Sequence, residues 1–213
     1  MSHQFHQGQP VLHVGAALDQ AKAVVLMLHG RGASAEDILS LSSEFKHNQV
    51  AYLAPQAAGY QWYPNRFIAP IESNEPYLSS ALTVIGDLIN HVQAAGIPQE
   101  QIVLLGFSQG ACLALEYSAR KAMRYGGVIG LSGALIGPSD TPRTYPGTLN
   151  RTPVFLGCSD VDFHIPVDRV IESASVFRQM GATVTERIYP NMGHTINEDE
   201  IGFVDDLLRS LVG

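Results

Sequence analysis

The chain predicts an α/β domain built on a mostly parallel sheet with helices on both faces. Two observations carry this. Short apolar or β-branched runs alternate with longer segments of helical period along the whole length, as in parallel strands joined by crossover helices. The strongest runs are also apolar at consecutive positions, as strands covered on both faces must be. At 213 residues, with 46% hydrophobic and 15% charged side chains, the chain fills one domain with a sizeable core and falls short of two. Residues 1–213 therefore read as a single domain, with residues 1–10 flexible.

Ala23 to Leu28 (AVVLML) has the composition of a doubly covered strand. Ser34-Ala35-Glu36-Asp37 then offers a capping box for a helix carrying Ile38, Leu39 and Leu41. Val50 to Leu53 predicts a second strand, and Asn74-Glu75-Pro76 caps a long helix through Leu82, Ile85 and Leu88 toward Gly96. Ile102 to Leu105 (IVLL) is the third strand and leads into a helix from about Ser108. Short strands follow near Val128 to Leu131 and Val154 to Leu156, then a helix opened by Pro166. Thr183 to Tyr189 alternates like a strand. The last helix begins near Asn197, with Ile201, Phe203, Val204, Leu207, Leu208 and Leu211 inward. Two stretches, Pro55 to Ser73 and Gly137 to Arg151, lack periodicity. The first concentrates Tyr60, Trp62, Tyr63 and Phe67, which suits either a pocket wall or a loop packed on its own rings.

Thirteen Lys plus Arg against twenty Asp plus Glu give a net charge of -7, which argues against a nucleic-acid partner and against stable membrane association. No run approaches the roughly 18 apolar residues of a membrane span, and the N-terminus has neither a cationic segment nor an apolar one. Cys112 and Cys158 each sit within an apolar run and read as small hydrophobes, consistent with a reducing cytoplasm. A monomer and a homodimer are both compatible with this composition.

Gly106-Phe107-Ser108-Gln109-Gly110 has the G-x-S-x-G form directly after the IVLL strand and before an Ala/Leu-rich helix. A nucleophilic serine there needs a strained strand-to-helix turn. The flanking glycines are required because side chains would strike the neighbouring strand and helix. A base must take the hydroxyl proton, and His194, in the turn between the ERIY strand and the final helix, is placed to do so. His164 is the rival. His3, His6 and His13 lie in or near the flexible N-terminus, and a His3/His6 pair reads as solvated rather than metal-bound; no metal site is expected. His29 is expected to organise the turn before Gly30. The orienting carboxylate should leave the strand before the histidine's own. Asp162, in the turn ahead of Pro166, is favoured there and Asp160 is the alternative. Backbone N–H groups of Arg31, in the first strand-to-helix loop, and of Gln109 are the oxyanion candidates. The Arg31 guanidinium is either solvated or lines the mouth, favouring anionic acyl or leaving groups. Trp62, Tyr63 and Phe163 are the pocket candidates.

With LHGRG at Leu28 to Gly32, GFSQG at Gly106 to Gly110, SDVDFHIP at Ser159 to Pro166 and the Gly193-His194 turn, in that order, the chain resembles the phospholipase/carboxylesterase family of α/β-hydrolases. The resemblance implies a single α/β-hydrolase domain and a cofactor-independent serine hydrolase of small-molecule esters. The resemblance likewise implies an acyl-enzyme formed at Ser108, with His194 as base and Asp162 on the position of the family's acid. Cys158-Ser159 departs from the His-Gly usual in the acyl-protein thioesterase branch, and QWYPNRF at Gln61 to Phe67 looks closer to small bacterial carboxylesterases. Esters of small or medium acyl chain are therefore expected, with lysophospholipase or acyl-protein thioesterase activity as the alternative. Two other readings compete. Gly30-Arg31-Gly32-Ala33-Ser34-Ala35 resembles a dinucleotide-binding loop, but Ala54-Pro55-Gln56 stands where its ribose-binding acid should be. A hydrolase-fold binding protein without chemistry would ordinarily lack the nucleophile or the base, and both are present.

Overall fold

The computed structural model describes residues 4–213. Among these residues seven strands form one sheet: β1 (Val11–Gly15), β2 (Ala23–Leu28), β3 (Val50–Pro55), β4 (Ile102–Phe107), β5 (Gly127–Leu131), β6 (Pro153–Ser159) and β7 (Thr183–Tyr189), in the order β1-β3-β2-β4-β5-β6-β7. Only β1 runs antiparallel, pairing Val11 with Pro55 and Gly15 with Ala51 of β3. The rest are parallel, with β2 between β3 and β4. All six residues of β2 are fully buried, as its uninterrupted apolar run predicts.

Among the described residues five α-helices cover the sheet: α1 (Ala35–Ser40), α2 (Tyr77–Ala94), α3 (Gln109–Arg120), α4 (Val167–Gln179) and α5 (Glu198–Val212). α2, α3 and α4 pack with one set of strand side chains, and α1 and α5 with the other, giving a core on each face. The period of the strands divides them this way: Val24, Leu26 and Leu28 join the first core while Ala23, Val25 and Met27 join the second. The expected capping box forms at Ser34, whose hydroxyl accepts from Asp37 N at 3.2 Å while Asp37 accepts from Ser34 N at 2.7 Å. Leu41 falls in a 3-10 turn, Leu41–Glu44, that ends this helix. Among the described residues no helix is long and apolar enough to cross a membrane.

Three expectations are corrected. β1 was not anticipated, because Val11 and Val14 remain 41% and 40% exposed and only Leu12 packs against the core; backbone pairing with β3 places it. The segment before it is packed rather than flexible over the described residues. His6 is 2% exposed and accepts from Ala58 N through Nδ1 at 3.1 Å, so Nε2 carries the proton and donates to the Trp62 carbonyl at 3.0 Å. Burial lowers its pKa, which fits a neutral ring rather than a solvated one. His3 lies outside the described residues. Finally, Asn74 does not cap α2. It is buried and braces the preceding loop, accepting from Asn65 N at 2.8 Å, while the Glu75 carboxylate caps the helix by accepting from Ser79 N at 3.0 Å.

Candidate active site

Because β2, β4, β6 and β7 are parallel, the loops leaving their carboxyl ends gather along one edge of the sheet. These loops carry His29 to Gly32, Ser108, Asp162 and His194. Ser108 sits at φ 56°, ψ -117° between β4 and α3, a conformation that costs a non-glycine residue about 1–3 kcal/mol. The turn is held by Ser108 N donating to Leu131 O at 2.9 Å. A Cβ on Gly110 would collide with the Leu28 carbonyl of β2, and one on Gly106 with the Gly110 carbonyl of α3. The two glycines thus let helix and strand close around the serine.

His194 Nε2 lies 2.9 Å from Ser108 Oγ and His194 Nδ1 lies 2.6 Å from Asp162 Oδ2. With Asp162 ionised, Nδ1 carries the ring proton and donates it, leaving Nε2 free to accept from the serine. The other oxygen of Asp162 accepts from His164 N at 2.8 Å and Ile165 N at 3.0 Å. Burial alone would raise the Asp162 carboxyl, but the hydrogen bonds from His194 and from these two amides outweigh it and hold the pKa below the ordinary value. Asp160 does not reach His194. It is exposed, and its Oδ1 accepts from Asn191 N at 2.8 Å. The His164 ring makes no hydrogen bond to Ser108 and instead meets the His194 ring edge-on at 4.8 Å.

The amides of Arg31 and Gln109 have no hydrogen-bond partner among the described residues, as an anion-binding pair requires. Behind them His29 is fully buried. Its Nε2 accepts from Ala57 N at 3.1 Å, so Nδ1 is protonated and donates to the Gly30 carbonyl at 2.8 Å, turning the loop as expected. Arg31 lines the cleft, the second of the two expected placements, and its exposed guanidinium is not simply solvated: it donates to Gln61 Oε1, Pro64 O, Tyr63 O and Asn65 O, stitching down the aromatic loop. The Gln109 side chain grips the same loop, accepting from Trp62 N and donating to Tyr63 O, both at 2.8 Å.

A cleft of about 290 Å³ opens at Ser108, with Tyr63, Phe67, Cys112 and Ile165 on its apolar side. Tyr63 lines it as expected. Trp62 does not: it is fully buried behind the wall, where Nε1 donates to His29 O at 2.9 Å. Phe163 also differs from expectation, being 76% exposed outside the cleft. Both cysteines are free and buried, and burial pushes each thiol up to about 12. Among the described residues no cluster of three or more His, Cys, Asp or Glu could hold a metal.

Ser159 has a role the sequence did not disclose. Its buried hydroxyl accepts from Val161 N and from Gly193 N, both at 3.2 Å, tying the loop of Asp162 to that of His194. Asp160 adds a second tie through Asn191 N. The departure from glycine at Ser159, visible in the motif, was the one available signal.

This sheet, carrying a serine on a strained strand-to-helix turn, defines an α/β-hydrolase. The family profile described as Phospholipase/Carboxylesterase matches residues 10–212, and the chain belongs to that family of carboxylic ester hydrolases. A crystal structure of a phospholipase/carboxylesterase from Dyadobacter fermentans DSM 18053 is similar, with TM-score 0.92 and 42% identity over 98% of this chain and 100% of that one. The structure of esterase PE8 is similar with TM-score 0.77 and 25% identity, covering 96% and 98% of the two chains. Acyl-protein thioesterase 1 of Candida albicans (strain SC5314) is 27% identical, covering 94% of this chain and 97% of its own.

Proposed function

We propose that this protein is a serine esterase of small or medium acyl chains, acting through an acyl-enzyme at Ser108. The observation that carries it is the continuous hydrogen-bonded line from Ser108 through His194 to Asp162. In the first half-reaction Ser108 Oγ attacks the ester carbonyl and His194 Nε2 takes its proton; Asp162 holds the imidazole and stabilises the imidazolium. The Arg31 and Gln109 amides receive the developing oxyanion. His194 returns the proton to the departing alcohol. Water then repeats the sequence on the acyl-enzyme, with His194 as base, and frees Ser108. No step requires a cofactor.

The cleft volume supports short or medium chains. About 290 Å³ lies at the lower end of ligand sites, which run from about 300 to 1,000 Å³. A second reading, hydrolysis of long-chain thioesters, draws on the fungal acyl-protein thioesterases that match nearly the full chain. Hydrolysis of p-nitrophenyl esters from acetate to palmitate, and of palmitoyl-coenzyme A, separates them. The expected result is a maximum at the short esters that disappears in Ser108→Ala, falling by several orders of magnitude. A maximum at palmitate or the thioester would favour the second reading. Equal rates for wild type and Ser108→Ala would overturn both. Two buried free thiols fit a reducing compartment, and a cytoplasmic location is proposed on that basis.

A further inference from the structure

The site is electrostatically lopsided in a way that the ester chemistry does not require. The cleft beside Ser108 is lined by Arg31, Arg66 and His164 and by no acidic residue. A second groove, sharing Gly30, Ala33 and Phe107 with it, carries Asp37 and Glu44 among apolar Ile38, Leu41, Ile196 and Ile201, with no arginine or lysine. The two grooves meet at Gly30, Ala33 and Phe107, next to the nucleophile, with opposite charge.

The cationic side is notable against the rest of the chain, whose net charge is -7. Arg120, Arg143, Arg169, Arg178, Arg187 and Arg209 each pair with a carboxylate. Among the described residues the arginines without one are Arg31, Arg66, Arg124 and Arg151. Two of these four stand on the cleft. Arg31 spends its donors on four neutral acceptors of the 61–65 loop. Arg66 is exposed and makes one long bond, 3.3 Å, to the His164 carbonyl across the cleft mouth. Most of its guanidinium donors are therefore open. The backbone that presents it is braced on both sides: Asn74 accepts from Asn65 N and donates to Arg66 O, and the Phe67 carbonyl accepts from Gly137 N at 2.7 Å. The carboxylate of Asp162, behind His194, is already engaged by the imidazole and two amides.

We propose that the substrates are esters bearing a carboxylate, and that Arg66 is the residue selecting them by binding that group in the cleft while the apolar remainder lies in the second groove. This deepens the serine-esterase reading and rests on it. A guanidinium with open, forked donors suits a carboxylate, and the field of an uncompensated pair of arginines in a narrow cleft raises the local concentration of anions. The carboxylate can belong to the acyl half, as in a half-ester of a dicarboxylic acid, or to the alcohol half, as in an ester of a hydroxy acid.

The test measures kcat/KM for two matched pairs: p-nitrophenyl hydrogen glutarate against p-nitrophenyl pentanoate, and acetoxyacetate against ethyl acetate. Wild type, Arg66→Gln, Arg124→Gln and Ser108→Ala are compared at low and high salt. Arg124→Gln removes the same charge from an arginine bonded to Asn150 O, outside the cleft. Wild type should prefer the anionic member of one pair. Arg66→Gln should lower that preference about tenfold, the scale of one charge-assisted hydrogen bond, and salt should erode it because the group is exposed. The pair that responds names the half of the ester that carries the charge. Unchanged preference in Arg66→Gln, or an equal loss in Arg124→Gln, overturns the proposal while Ser108-dependent hydrolysis leaves the esterase reading standing. Hydrolysis that survives in Ser108→Ala overturns both.

Discussion

Glu200 is a buried carboxyl that the chemistry does not use, and replacing it with glutamine should change how stability depends on pH. Its side chain is fully buried at the first turn of α5. Oε2 accepts from Asn197 N at 3.0 Å, but Oε1 lies against Gly157 of β6 without a hydrogen-bond partner. Burial raises its pKa from the ordinary 4.5 to about 7, and neither the Asn197 amide nor the helix N-terminus restores it. Because the folded value lies above the unfolded one, the native state holds this proton more tightly. The stabilisation is complete below about pH 4.5 and is lost as pH rises through about 7. At about 1.4 kcal/mol per pH unit, the interval corresponds to about 3 kcal/mol, most of it falling between about pH 5 and 8. Glutamine keeps the Oε acceptor of the capping box and stays neutral. Urea unfolding of wild type and Glu200→Gln at pH 5, 6, 7 and 8 reads the effect as a difference, so that the histidines common to both cancel. The variant should gain about 2–3 kcal/mol on wild type between pH 5 and 8. A constant difference across that range, or one that shrinks as pH rises, would refute the account of an uncompensated carboxylate.

Asp162→Asn should lower kcat for a p-nitrophenyl ester by about 10³–10⁴, because the amide no longer holds His194 in the tautomer that accepts at Nε2. Asp160→Asn keeps an oxygen for Asn191 N and should stay within about threefold; steady-state kinetics on both variants check the assignment. Ser159→Ala leaves the Val161 and Gly193 amides without their acceptor, so it should cost about 1–3 kcal/mol in denaturant unfolding and lower kcat with it. Loss of stability with unchanged kcat would show that the tie does not position His194. Gly110→Ala drives a methyl into the Leu28 carbonyl, which belongs to a buried strand and cannot retreat. A loss of about 3 kcal/mol or failure to fold is expected by thermal unfolding.

Much of the site was legible in the chain because its determinants are local. The IVLL run, the two glycines of GFSQG and the Ala/Leu-rich segment after it describe a strand, a sharp turn and a helix within a few residues. The structure explains the glycines by close approach, Gly110 against Leu28 of the adjacent β2. The capping box at Ser34 was likewise readable, since it spans only four residues, and the last helix was expected to begin near Asn197, where a second box forms. Asp162 stood ahead of Asp160 by its place in the turn before Pro166, and it is Asp162 that lies at 2.6 Å from His194.

What the sequence alone determined, then, was the α/β class, the place along the chain of six of the seven strands, the elbow and the candidate residues that the structure brings together. Each follows from periodicity, capping or turn chemistry acting over a few positions. The tertiary structure alone decided which side chains meet across long separations. Trp62 and Phe163 look equally suited to a pocket wall, yet one is sealed behind the loop and the other faces solvent. The Arg31 guanidinium is drawn onto carbonyls 30 and more positions away, β1 is placed by pairing with β3 with only Leu12 turned to the core, and Glu200 is buried against β6. Such outcomes depend on the order in which strands enter the sheet. That order brings together residues between which the local pattern carries no information.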